Sequence, residues 1–411
     1  MQRALQPLLC AAVLVLVASL AHGQEAGVDD DSIKFGQSAA FSGPAQDLGK
    51  EIRRGIELAF AEANEAGGVF GRTLELVSLD DAYEPEAAIA NTTELITREN
   101  VFALIGAVGT PTSRSAVPVA QADNVPYIAP FTGAAFLRDR QWSTVINLRA
   151  SYYQETEKIV DFLTRSLGIN RIGVFYQDDS FGQAGLRGVQ IALERRGLPM
   201  VGTGVYPRNT TAVKTGLLDL RAAGPDAVVL VGAYDPVASF IAWAKQIGFE
   251  PLFMTISFVG SNALIEKLGP ASSGIFVTQV VPPPDDDDGA VIIDDGHVRT
   301  VDDDSTVTNP PIVEHYRELL ARAFPETPPG FVSLEGYLAG RLVVSILEGC
   351  GEAPDRACFL ETMTHDRVID LGGFPIRFGD DNQGSDAVYL TVVDDQGRYR
   401  KVVETAGAGG E

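Results

Sequence analysis

SIKFGQSAAFSGPAQDLGKEIRRGIELAFAEANEAGGVFGRTLELVSLD, residues 32–80, reads as strand, helix, strand. The β-rich run from Ile33 to Ser38 leads into a segment in which Ile52, Ile56, Ala59, Phe60 and Ala63 recur at three- and four-residue spacing, the period that lines one face of an α-helix. Gly67-Gly68 ends that helix, and the run from Leu74 to Leu79 is extended again. This is the grammar of a βαβ unit, in which helices cover a parallel sheet.

Working outward, further strands are expected from Phe102 to Ile105 and from Tyr127 to Ala129. The pattern then starts afresh about 140 residues on, at IGVFYQ (172–177). A helix through Leu186, Val189 and Leu193 follows, then strands from Val201 to Tyr206, Ala227 to Val231 and Leu252 to Thr255. The restart, after the loop around Asn147-Leu148-Arg149, predicts an α/β protein of two doubly wound parallel-sheet lobes. Near the end, Phe374 to Phe378, Val388 to Val393 and Tyr399 to Val403 read as strands, the last two joined by a hairpin at Asp394-Asp395-Gln396-Gly397. Residues 406–411 read as a frayed tail.

The whole chain has 411 residues, 45% of them hydrophobic, which is enough for two cored domains and excludes disorder as a description of the whole. Its net charge of −23 would repel phosphate backbones and anionic headgroups, so nucleic acid is not an expected partner. Residues 1–23 carry Arg3, an apolar run from Leu8 to Leu20 and then Ala21-His22-Gly23, the layout of a secretory signal cleaved near Gly23. That run is shorter than the ~20 residues needed to span a bilayer. Cys10 follows Leu9 inside it, where lipidation would want a small residue. Cys350 and Cys358 remain beyond the leader, in one loop with Gly351 and Pro354 between them. In an oxidising compartment they are expected to form a disulfide, although spacing alone does not settle the geometry.

The stretch 282–311, with Pro282-Pro283-Pro284, four aspartates and later Asp302-Asp303-Asp304, reads as a polar surface excursion, and its spacing does not match an EF-hand calcium loop. Other chemistry is poorly supported. Gly43, Gly49 and Lys50 miss the phosphate-loop spacing, and Glu51 replaces the magnesium-binding hydroxyl. His297, His315 and His365 are scattered, so no metal set is readable, and no GxSxG elbow is present. No enzyme activity and no cofactor are expected.

What remains is a set of strand ends, the place where doubly wound sheets bind ligands. Gly106-Ala107-Val108-Gly109-Thr110-Pro111-Thr112-Ser113 lets backbone amides approach a ligand at a helix start that attracts anions. For Thr112 and Ser113 a plain helix cap reads equally well. Pro130-Phe131-Thr132-Gly133, Gly232-Ala233-Tyr234-Asp235-Pro236 and Ser257-Phe258 end three further strands in the same manner.

At these positions the chain resembles the leucine/isoleucine/valine-binding proteins, the type I periplasmic receptors that feed ABC importers. The resemblance runs from about residue 33 to 395 and rests on FSGPAQDLG (41–49), NEAGGVFGR (64–72), LDDAYEP (79–85), LIGAVGTPTS (104–113), PYIAPF (126–131), QDDSFG (177–182) and VGAYDP (231–236), in that order. It implies three crossings between discontinuous lobes and a cleft that closes on a small ligand. The implied divisions are a first lobe at 31–148, a second at 149–280, more of the first at 281–365 (with the acidic loop), and a return to the second at 366–411. It matches Thr110 to the residue that holds an amino-acid carboxylate, Phe131 to the backbone that receives the ammonium, and Tyr234 to the aromatic lid. Thr132, Tyr152 or Tyr153, Ser257 and Phe258 complete the expected site. Ser257 stands where amino-acid binders place a carboxylate, and Gly133 where a threonine is common, so an ammonium would lack its counter-charge unless Asp178, Asp179 or Asp235 turned inward. The expected ligand is an amino acid or a related carboxylate or amide. The expected partner is an inner-membrane ABC permease, or alternatively a chemoreceptor or sensor kinase that reads the closed form.

Overall fold

The computed structural model describes residues 25–285, 289–294, 297–301, 309–362, 367–379 and 381–404. The leader at 1–23, most of the acidic runs, His365 and the last residues lie outside them. In the first sheet, β1 (Ser32–Ala39), β2 (Thr73–Asp80), β3 (Ala103–Ile105), β4 (Tyr127–Ile128) and β5 (Val145–Ile146) lie in the order β2-β1-β3-β4-β5, all parallel. The second sheet is built on β6 (Ile172–Gln177), β7 (Gly202–Tyr206), β8 (Ala227–Val231), β9 (Leu252–Thr255) and β10 (Phe276–Gln279). Every residue of β8 is buried, as expected for a parallel strand covered on both faces.

The helix Gln46–Glu65 turns Leu48, Ile52, Ile56 and Phe60 inward, as their spacing requires. It packs against the helix Phe331–Cys350 so closely that glycine is needed on both sides: a Cβ on Gly55 would fall 2.0 Å from the Ser333 carbonyl oxygen, and one on Gly336 2.3 Å from that of Ile52. The helices Pro311–Ala323 and Phe331–Cys350 therefore stand with the first lobe, tied by His315, Tyr337 and Arg341 to Glu62. Cys350 and Cys358 are joined by a disulfide, with Cα atoms 5.9 Å apart.

Two expectations need correction. The stretch 282–311 was expected to be a core-free excursion of the first lobe. Instead β11 (Ala290–Asp294) and β12 (His297–Val301) form an antiparallel hairpin in the second lobe's sheet. β11 pairs in parallel with the C-terminal strand β16 (Tyr399–Glu404), so its register comes from residues about a hundred positions away. Asn309 Nδ2 donates to the Asp285 carbonyl at 3.2 Å, so the excursion leaves and returns at one place.

The second correction concerns 366–411, expected to return whole to the second lobe. β13 (Val368–Asp370) and β14 (Pro375–Arg377) form their own small sheet, and the segment that follows is held by the first lobe. The Asn382 amide donates to the carbonyls of Leu137 (2.8 Å) and Val145 (3.0 Å), and Gly384 N–H donates to Asn147 O. Only β15 (Tyr389–Val393) and β16 rejoin the second sheet, whose order is β12-β11-β16-β15-β10-β9-β8-β6-β7. The chain thus passes between the sheets after β5, between β12 and Pro311, and between β14 and β15.

Candidate ligand-binding cleft

The carboxyl ends of β3, β4, β8 and β9 face one another across the interlobe cleft, whose two walls are in contact. Phe258, from the turn after β9, lies 5.5 Å ring to ring from Phe131 of the first lobe and 4.4 Å from Phe181 of the second. Asn209 and Arg208 reach across to Glu84, and Gln177 donates to the Tyr83 hydroxyl at 3.4 Å.

Thr110 opens the helix Thr110–Ala122, and its hydroxyl lies 2.7 Å from that of Thr132, which donates to Tyr152 OH at 3.1 Å. Burial pushes the Tyr152 phenol up to about 12, so it stays protonated at neutral pH. The Phe131 carbonyl, matched above to an ammonium, accepts from Gly109 N–H at 3.2 Å. Tyr234 is buried, and its hydroxyl accepts from Asp47 N–H at 3.3 Å, so it ties the second lobe to the helix Gln46–Glu65 of the first. Tyr153 is half-buried at the cleft edge.

Ser257 and Phe258 are buried. The Ser257 hydroxyl does not stand free in the cleft. It accepts from Arg149 Nη2 and donates to Glu155 Oε1 at 3.0 Å, while Ser257 N–H donates to Glu155 Oε2 at 2.8 Å. Arg149 was read only as part of a loop, yet it is fully buried at the first crossing, 3.0 Å from Glu155 and 3.5 Å from Glu335 of the helix Phe331–Cys350. Its guanidinium lies over the Phe131 ring, 5.0 Å from the centroid. Nε and Nη1 have no hydrogen-bond partner among the described residues. Burial opposes its charge, but Glu335 and Glu155 outweigh that and hold its pKa above the ordinary value. Glu335, desolvated and sharing its cation with Glu155, is pushed up to about 7.

None of the three aspartates named as substitutes supplies the missing counter-charge, and Asp178 is exposed. Asp179 caps the helix Ser180–Glu194 through Phe181 N–H, and Asp235 pairs with Lys267 at 2.9 Å. Beside this dry network lies a cavity of about 460 Å³, with Thr110, Arg114 and Phe136 on the first lobe and Tyr153, Ser180 and Gln183 on the second. Of the residues expected at the site, Thr110 and Tyr153 line it. Thr132, Tyr152, Phe131, Phe258 and Ser257 are buried and do not line it, and Tyr234 joins the lobes elsewhere. Arg114, Gln183, Arg149, Glu155 and Glu335 were missed. Arg114 follows Thr110 by one helical turn, which placed it on the same face and was the available signal.

Two doubly wound lobes, three crossings and a cavity between helix starts define a type I periplasmic binding protein, a class that binds its solute without transforming it. The family model described as "Periplasmic binding protein" matches residues 32–398. A Leu/Ile/Val-binding protein homolog 7 of Brucella abortus (strain 2308) is 26% identical over 96% of this chain and 97% of its own. The structure of a possible leucine/isoleucine/valine-binding protein from Rhodopirellula baltica SH 1 superposes with TM-score 0.81 at 36% identity, over 92% of this chain and 97% of that one. A substrate-binding periplasmic protein from Ralstonia solanacearum gives TM-score 0.80 at 26% identity, over 90% and 100%. The chain belongs to the periplasmic binding protein family, in its leucine/isoleucine/valine-binding branch, and is a substrate-binding protein and not an enzyme. Family membership places it outside the cytoplasm, and no helix among the described residues is long and apolar enough to cross a membrane.

Proposed function

We propose that this protein captures a small solute between its lobes and delivers it to an ABC importer of the inner membrane. The observation that carries the reading is the cavity of about 460 Å³ at the interlobe contact, a volume suited to a small organic molecule. Tyr234, Gln177 and Asn209 bond across the cleft, so a ligand that also touches both walls would favour closure over opening. The closed form is then the signal that a permease reads.

Capture is tested by thermal shift of the protein lacking residues 1–23 against amino acids, carboxylates, amides and sugars. A ligand at a hundred times its Kd adds roughly 2.7 kcal/mol to the folded state. Delivery is tested by passing solubilised inner membrane over the immobilised, ligand-loaded protein. Retention of an ABC permease supports the reading, whereas retention of a chemoreceptor or sensor kinase alone would convert it to sensing.

A further inference from the structure

Resting on solute capture, we propose that the ligand is a carboxylate without a free ammonium group, and that Arg114 binds its carboxylate at the cleft mouth. Three observations converge. None of the residues lining the cavity is acidic, in a chain where 55 acidic side chains face 32 basic ones, and its single charged lining residue is Arg114. Arg114 has no carboxylate within salt-bridge distance among the described residues, and its guanidinium lies 5.4 Å from the centre of the Phe136 ring, against the cavity wall. The cavity also receives the start of the helix Thr110–Ala122, which has no side-chain cap, whereas the start at Ser180 is already capped by the Asp179 carboxylate.

The groups that would neutralise an ammonium are already engaged. All of the accepting capacity directed into the cleft by Glu155 is occupied: Oε1 takes Arg149 and the Ser257 hydroxyl, and Oε2 takes Ser257 N–H and, at 2.7 Å, Thr278 Oγ1. The place beside Ser257 is filled by the protein's own cation, Arg149. An incoming ammonium would therefore be desolvated next to a guanidinium, with both oxygens of Glu155 already taken and Glu335 facing that same guanidinium at 3.5 Å. A carboxylate instead finds a planar cation and the uncapped start of the helix Thr110–Ala122, and an aromatic or branched body finds Phe136 and Tyr153.

Matched probes isolate the ammonium. Calorimetric titration would compare 3-phenylpropanoate, phenylalanine and 3-phenylpropanamide, and likewise 4-methylpentanoate, leucine and 4-methylpentanamide. In at least one set the carboxylate is expected to bind at least about tenfold more tightly than both its amino acid and its amide. Arg114→Ala should remove most of that preference without lowering the melting temperature of the unliganded protein, because Arg114 is exposed. Arg114→Lys should restore part of it. Amino acids binding as tightly as their desamino partners would overturn the inference while leaving solute capture intact, as would an Arg114→Ala variant of unchanged preference. Neither set binding, when another compound in the thermal-shift panel does, would overturn it as well. Silence across the whole panel would count against capture itself.

Discussion

Two polar regions lie side by side between the lobes and have opposite characters. Around Arg149 the charge is met from within: Glu155 receives four donors, Ser257 both donates and accepts, and Glu335 stands 3.5 Å from the guanidinium. The guanidinium lies over Phe131, although its Nε and Nη1 have no hydrogen-bond partner among the described residues. Around Arg114 a cation and the uncapped start of the helix Thr110–Ala122 face a cavity with no acidic side chain in its lining. The first arrangement holds the crossing and the walls in place, because buried charges tolerate little movement away from their partners. The second has interactions left to give. The difference teaches that charge inside a cleft does not by itself mark the ligand site. What marks it is charge that the protein has not already neutralised.

The comparison is broken most severely by Glu155→Ala. It leaves the buried Arg149 with Glu335 as its one carboxylate partner among the described residues and removes the acceptor of three further donors, and a loss of about 2–4 kcal/mol in urea unfolding is expected. A loss below about 1 kcal/mol would show that water reaches the network, and that the two regions are less distinct than drawn.

A second effect, spread over the acid range, comes from pH. Burial raises Glu335 to about 7 from its ordinary value of 4.5, and Glu51 likewise, with its Oε2 buried and unpartnered. Between those values the folded protein retains protons that the unfolded chain releases. Stability should therefore be highest below about pH 4.5, as far as these two groups decide it, and fall as pH rises to about 7. Denaturant midpoints measured across pH 5–8 should decline in the wild type and flatten in the Glu51→Gln, Glu335→Gln double variant. A decline of the same slope in both would assign the effect to other groups.

The smallest expected change sharpens the contrast from outside both regions. Tyr234→Phe removes the bond to Asp47 N–H across the lobes, and about 0.5–1.5 kcal/mol of the closed form with it. Solute affinity should drop by roughly two- to tenfold in calorimetry. A loss of a hundredfold or more would mean that the hydroxyl touches the ligand, as its match to an aromatic lid implied.

The sequence by itself determined the alternation of strand and helix, the restart after residue 171 and the strand ends that carry the cleft. Those features are written in local periodicity, since which face of a helix or strand is apolar depends only on neighbours a few residues away. It also showed that Ser257 is not a carboxylate. Tertiary structure alone decided what stands in that place, because the partners of Arg149 lie at 155, 257 and 335 and meet only when the crossings bring both lobes to one point. It decided equally that residues 290–301 pair as strands beside β16, and that the segment around Asn382 stays with the first lobe. Hydrogen bonds between residues a hundred or more positions apart leave no period in the chain, so polarity and proline made 282–311 read as loop, and nothing local marked the segment around Asn382 as belonging to the first lobe. Local patterning fixes which elements form and which face each buries, whereas the topology of the crossings fixes which charges neutralise one another and which are left for a ligand.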